Sequence, residues 1–285
     1  MMVVHSYGRT MTTYAVNDIE LDAETYGDPA DPAVLLIHGA GASMLWWDAR
    51  LCTELAARGR FVIRYDQRDT GRSTSFPTGE PGYAMSDLAT DAAGLLDALG
   101  IDRAHVVAQS MSGGTALILG VDHPSRVASL TFVSTSTGDD GLPPPSADMP
   151  RLGWPDFADQ AAVEEYVVRS IEAEAAGDFD ETEARALVRD DMARARNYEA
   201  SLTNHFAMTF DGPKNGGFGD LSMPVLVLHG DADPLLPLPH GESVRDAVPG
   251  ARLVILPGMG HGLSAPYWNT FVDELVEHTA HAGGR

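Results

Sequence analysis

Cysteine is nearly absent from this chain: Cys52 is the only one among 285 residues. No internal disulfide can form, and neither a four-cysteine nor a two-cysteine, two-histidine zinc site can be built; no metal is expected. Basic side chains are also few. Nineteen Lys and Arg stand against 41 Asp and Glu, a formal net charge of -22, and such a field repels phosphate backbones and anionic lipid surfaces within a Debye length of about 10 Å. Neither nucleic acid nor a membrane is an expected partner. The opening, MMVVHSYGRTMTTYAV, lacks both a long apolar run and a clear cleavage site. No signal peptide or transmembrane span is read there, and a cytoplasmic location is the expectation, with Met11 an alternative start.

What is present is ordinary globular composition, 44% hydrophobic and 21% charged, which excludes a disordered, collagen-like or coiled-coil chain. A chain of this length buries roughly three quarters of the surface its unfolded form exposes, enough for one large core without staples. One catalytic domain with an insertion, as a monomer or homodimer, is the expectation.

Short apolar runs alternate with longer amphipathic stretches, the pattern of parallel strands joined by crossover helices. The strand candidates are Val34 to His38, Phe61 to Tyr65, Ala104 to Ala108, Val127 to Val133, Val225 to His229 and Leu253 to Leu256. Asp48 to Arg58 and Ser86 to Leu99 read as helices, the second opened by a Ser86 cap and closed by Gly100. Thr13 to Val16 and Ile19 to Tyr26 flank Asn17-Asp18, a hairpin signal that places antiparallel strands at the sheet edge. The alternation breaks between Thr137 and Leu221, where Pro143 to Pro145 and acidic helical stretches (Val163 to Ala176, Glu181 to Met192) replace strand-like runs. This divides the chain into a core of residues 1–136 and 222–285 and a helical cap of residues 137–221.

The chemistry concentrates where a strand meets a helix. Val106-Val107-Ala108-Gln109-Ser110-Met111-Ser112-Gly113-Gly114 has the form of a nucleophile elbow, a turn so sharp that the residues two before and two after the serine must be small. Ala108 and Ser112 satisfy this, although glycine is commoner at both. Ser110 is the preferred nucleophile because it follows the strand directly and leaves the Met111 N–H at the helix start, where an oxyanion is stabilised. Ser112 fits a second register and stays open as a competitor, and an N-cap role for Ser110 is the plain structural alternative. A serine hydroxyl needs a base to take its proton, and an imidazole with a pKa near 6.5 serves at neutral pH. Of ten histidines, His261 alone lies in a glycine-rich loop after the last strand-like run. Asp233, beyond the preceding strand, is preferred to Asp231 as the carboxylate that fixes the base's tautomer. The order Ser, Asp, His is the one nucleophile-elbow enzymes use. A second oxyanion donor is expected from His38-Gly39-Ala40-Gly41-Ala42, at the Ala40 N–H. Gly39, Gly41, Trp46, Gln109, Ser112, Trp154, His205 and Phe206 are the candidate pocket residues.

The elbow, Tyr65-Asp66-Gln67-Arg68-Asp69-Thr70-Gly71-Arg72-Ser73, Gly27 to Ala33, Arg103 to Val107 and Pro257-Gly258-Met259-Gly260-His261 together resemble the α/β-hydrolase superfamily over nearly the whole chain. Within it they look most like the aclacinomycin methylesterase-type serine esterases, which hydrolyse a methyl ester on an anthracycline. The resemblance implies an α/β-hydrolase fold with a mostly parallel sheet and an inserted cap, no cofactor, and Ser110, Asp233 and His261 as catalytic triad. The Asp66 to Ser73 run reads as a structural turn supporting the site. The chain departs from the pattern at Ala108, Gln109 and Ser112. The expected substrate is a small-molecule ester, with lactone, thioester or carbon–carbon bond hydrolysis open to the same groups. A ligand-binding protein or a non-hydrolytic catalyst that kept the scaffold is the alternative of a different class.

Overall fold

The computed structural model describes residues 10–281, so the chain start discussed above lies largely outside it, up to residue 9. Eight strands, β1 (Thr10–Val16), β2 (Ile19–Tyr26), β3 (Ala33–Ile37), β4 (Phe61–Tyr65), β5 (Ala104–Gln109), β6 (Val127–Val133), β7 (Val225–Gly230) and β8 (Arg252–Leu256), form one sheet. Their order is β1-β2-β4-β3-β5-β6-β7-β8. The first two strands form the expected hairpin: Asn17 and Asp18 take φ of 47° and 64°, the left-handed pair of a two-residue turn whose twist matches that of the strands. β2 joins β4 antiparallel, and every later pairing is parallel.

Parallel strands are buried on both faces, which is why these runs are continuously apolar rather than alternating. Successive residues serve opposite layers. Leu35, Ile63, Val106 and Val227 pack on one side with Leu88, Ala116 and Val244, carried by helices α2 (Met85–Ala98), α3 (Ser112–Asp122) and α7 (Pro239–Ala247). Leu36, Val62, Val107 and Leu228 pack on the other with Leu51, Leu55, Phe271 and Leu275, from α1 (Ala49–Ala57) and α8 (Trp268–His281). The strand order reverses at β3, whose neighbours are β4 and β5, and the crevice above such a switch point is where ligands bind in open α/β sheets.

One helix start differs from expectation. α2 begins at Met85, and Ser86 lies inside its first turn, where both its N–H and its hydroxyl donate to the Asp211 carboxylate, at 2.9 and 2.6 Å. The capping anion comes from 125 residues away, which no local reading could supply. The closing residue is as expected, Gly100 at φ 70°.

Between β6 and β7 the chain carries α4 (Gln160–Glu174), α5 (Glu181–Arg194) and α6 (Tyr198–Ala207). Asp159, Asp180 and Asn197 cap their N-termini by accepting from first-turn amides, each worth roughly 1 kcal/mol. Val167, Val168 and Val188 close a small apolar core onto Trp46. Arg194, nearly buried, reaches back to Asp22 at 3.2 Å and Asp66 at 2.8 Å. Among the described residues no helix is long and apolar enough to cross a membrane.

Candidate active site

β5 runs into α3 through Ser110, whose φ of 53° is a left-handed conformation that costs a non-glycine residue of order 1 kcal/mol or more and needs external support. That support is present. The Ser110 N–H donates to the Val133 carbonyl at 2.9 Å, and its own carbonyl accepts from the Gly113 N–H at 2.9 Å and the Thr135 hydroxyl at 2.7 Å. Crowding around the turn falls heavily on Gly113, where a Cβ would stand 2.0 Å from Thr135 Oγ1. Ser112 replaces the commoner glycine without loss because its hydroxyl has a use: it donates to the His38 carbonyl at 2.5 Å and accepts from Gln67 at 3.3 Å. Ser112 is fully buried; Ser110, half-buried, holds the exposed end of the turn.

Across the crevice, His261 Nε2 lies 2.9 Å from Ser110 Oγ and its Nδ1 lies 2.8 Å from Asp233 Oδ2. An ionised carboxylate can only accept, so Nδ1 carries the proton and Nε2 is left to accept from the serine hydroxyl. Asp233 is held by the Leu235 and Leu236 N–H groups at 2.9 and 2.8 Å, whereas Asp231 is exposed and among the described residues accepts only from the Gly258 N–H, at 2.6 Å. The three side chains expected to converge do so, and Asp233 rather than Asp231 is the carboxylate within reach. Burial opposes a charge on His261, but the hydrogen bond and charge of Asp233, with the charge of Glu174, outweigh it and raise its pKa above 6.5.

The loop after β3 offers three successive amides with different fates. The Gly39 N–H donates to His38 Nδ1 at 2.8 Å, and the Gly41 N–H donates to His205 Nδ1 at 3.0 Å. Among the described residues the intervening Ala40 N–H has no acceptor, and neither has that of Met111. A Cβ on Gly39 would come 3.1 Å from Ser110 Cβ, so this loop runs directly against the serine. Two unpaired amides beside a nucleophile–imidazole–carboxylate chain can receive the negative charge of a tetrahedral adduct.

Several candidate pocket residues have partners of their own in the fold. Gln109 is buried and donates to the His261 carbonyl at 3.2 Å, tying the histidine loop to β5. Trp46 donates from its indole to Asp191 at 2.9 Å and packs among the inserted helices. His205 is fully buried behind the glycine loop, and Phe206, one residue on and about 100° around the helix, is 64% exposed. Trp154 is 58% exposed and clusters with Phe157 and Tyr166 on the surface. For Trp154, His205 and Phe206, position on the insertion was the only signal, and it does not say which way a side chain faces. Missed altogether was Glu174, at the end of α4, whose carbonyl accepts the His261 N–H at 2.8 Å; burial beside Asp233 raises its own carboxyl pKa, though the charge of His261 works against that shift. His38 was also missed, although its place in the His-Gly pair after β3 marks it. Burial, and then His261, lower its pKa to about 3, so it stays a neutral acceptor.

The Asp66 to Ser73 turn braces the site as expected. Asp66 accepts from the Met44 and Arg72 N–H groups at 2.8 and 2.9 Å. Asp69 accepts from Tyr83 at 2.6 Å and Asn204 at 3.0 Å.

Fold, crevice and side-chain geometry describe one class, and residues 32–265 match the model of the alpha/beta hydrolase fold family; the chain belongs to that family and is a hydrolase. Its relatives include two rhodomycin D methylesterases, from Streptomyces sp. (strain C5) and Streptomyces peucetius, 31% and 30% identical, each over 92% of this chain and 96% of the relative. Among solved structures it is similar to the 2-hydroxy-6-oxo-6-phenylhexa-2,4-dienoate hydrolase from Rhodococcus sp. strain RHA1, with a TM-score of 0.77 and 22% identity, covering 96% of this chain and all of that one.

Proposed function

We propose that the protein hydrolyses a carboxylic ester of a small, largely apolar molecule through an acyl-enzyme, and that the methyl ester of an aromatic polyketide is its substrate type. The observation that carries this reading is the unbroken chain from Asp233 through His261 to Ser110, at 2.8 and 2.9 Å, beside two amides without acceptors. Likeness to the two rhodomycin D methylesterases supports a methyl ester over esters of larger alcohols.

In the first half-reaction Ser110 Oγ attacks the ester carbonyl while His261 Nε2 takes its proton, and the carbonyl oxygen becomes an oxyanion between the Ala40 and Met111 N–H groups. The imidazolium, stabilised by Asp233, returns that proton to the departing alkoxide, releasing the alcohol and leaving an ester on Ser110. Water then repeats the sequence: His261 removes its proton, the hydroxide adds to the acyl carbon, and Ser110 leaves with the proton back from the imidazolium. No external oxidant, metal or cofactor enters this balance. The insertion of residues 137–221 acts as a cap, shielding the acyl group from bulk water.

The decisive experiment is fluorophosphonate labelling with peptide mapping, run beside hydrolysis of p-nitrophenyl esters and methyl esters of aromatic polyketides. An adduct on Ser110, lost in His261→Ala together with turnover, is the expected result. Labelling on Ser112, or turnover that survives His261→Ala, overturns the assignment.

A further inference from the structure

His205 belongs to α6, in the segment inserted between β6 and β7, yet it is fully buried and touches nothing that reacts. It spans two loops of the core. Nδ1 meets the Gly41 N–H at 3.0 Å and Nε2 meets the Arg68 carbonyl at 2.9 Å. The first partner can only donate and the second only accept, so a single neutral tautomer, protonated at Nε2, satisfies both. The far end of this bridge is anchored: the Arg68 side chain is paired with buried Asp91 at 2.5 Å. Around it α6 is fastened again by the Ser201 hydroxyl, which donates to the Asp69 carbonyl at 2.5 Å.

The near end is a loop with little stiffness of its own. Gly39 and Gly41, the latter at φ 73°, flank Ala40, and a peptide plane next to glycine turns at small cost. The plane that carries the Ala40 N–H has one long bond of its own, from the Ala42 N–H to the Gly39 carbonyl at 3.5 Å, and lies between two that are held more closely, one by His38 at Gly39 and one by His205 at Gly41. We propose that His205 is a positioning residue for the oxyanion donor: it pins the Gly41 amide to the Arg68 backbone and thereby keeps the Ala40 N–H available to a substrate oxygen. The insertion thus completes the active site from behind as well as covering it. This inference rests on the acyl-enzyme reading above, since it assigns the Ala40 N–H a role only in that chemistry.

Two isosteric replacements separate the parts. In His205→Asn the carboxamide oxygen falls near the Nδ1 position and still accepts from Gly41; in His205→Gln the carboxamide reaches toward Arg68 and leaves Gly41 without its acceptor. Steady-state kinetics on a p-nitrophenyl ester, normalised to sites titrated by fluorophosphonate, read kcat per folded active site. Removal of one oxyanion donor typically costs about 10²–10³-fold in kcat, so His205→Gln and the apolar His205→Phe are expected to lose on that order in kcat, with KM within about threefold, while His205→Asn stays within about tenfold of the parent. The rate of phosphonylation should fall in parallel, because the phosphonyl oxygen occupies the same hole. Full kcat per titrated site in His205→Gln, or equal losses in Asn and Gln variants, overturns the positioning role. Should the parent protein itself neither label nor turn over, it is the acyl-enzyme reading that fails.

Discussion

His261 sits where two opposing effects meet, and the balance is measurable. Burial disfavours the imidazolium, but Asp233 at 2.8 Å and the nearby Glu174 carboxylate favour it more, so its pKa lies above 6.5. A base must be unprotonated to act, so kcat/KM should fall on the acid side with a midpoint above 6.5, which a pH–rate profile reads directly. Glu174→Gln removes one of the two favouring charges and should move that midpoint down while hydrolysis continues; an unchanged midpoint would show that Glu174 does not act on the base. Asp233→Asn should lower kcat by about 10⁴-fold, the usual cost of the wrong tautomer. Ser112 gives a contrasting test. Its hydroxyl donates to the His38 carbonyl, but Gln67 also donates to that carbonyl at 2.8 Å, so Ser112→Ala orphans no acceptor there. A loss of about 1 kcal/mol in denaturant stability with near-parental turnover is expected, whereas Ser110→Ala should be inert toward fluorophosphonate.

At the level of elements, the site depends on how closely two segments approach. The end of α4 packs so tightly on the histidine loop that a Cβ at Gly260 would come 2.2 Å from the Glu174 carbonyl and 2.8 Å from the Ala175 carbonyl carbon. Backbone cannot yield as a flexible side chain can. Gly260→Ala should therefore part α4 from the loop and release the His261 N–H from Glu174, lowering kcat by tenfold or more, the scale on which small misplacements of catalytic groups act. It should also lower thermal stability by the 1–3 kcal/mol typical of overpacking. Gly113→Ala meets Thr135 Oγ1 at 2.0 Å and should lose soluble protein outright. Calorimetry beside kinetics distinguishes the two outcomes.

Across the whole molecule the insertion is tethered to the core by charge as well as by apolar contact. Arg194 joins α5 to buried Asp22 and Asp66, and its removal leaves two carboxylates without their cation. Arg194→Met should cost about 3–5 kcal/mol, the penalty of breaking a buried pair on one side, measured as a shift in urea midpoint without a change in m-value. A parental midpoint would mean that the tether contributes nothing. The net charge of -22 acts at longer range. Association of a cationic ester should slow as salt rises, while that of a neutral analogue should not.

Periodicity and motif order made the sheet, the elbow and the three converging side chains legible, because each follows from a local requirement: continuous apolar runs for strands buried on both faces, small residues at a sharp turn, glycines where a loop passes close to Ser110. The sequence by itself therefore determined which residues could react and in what kind of scaffold. Only the tertiary structure decided what supports them. Asp211 caps α2, Ser112 serves the His38 carbonyl, His205 holds the loop at Gly41, and Glu174 stands beside His261. Each of these is a hydrogen bond or charge contact between distant segments, whose partners are chosen by three-dimensional packing and leave no period or spacing in the chain.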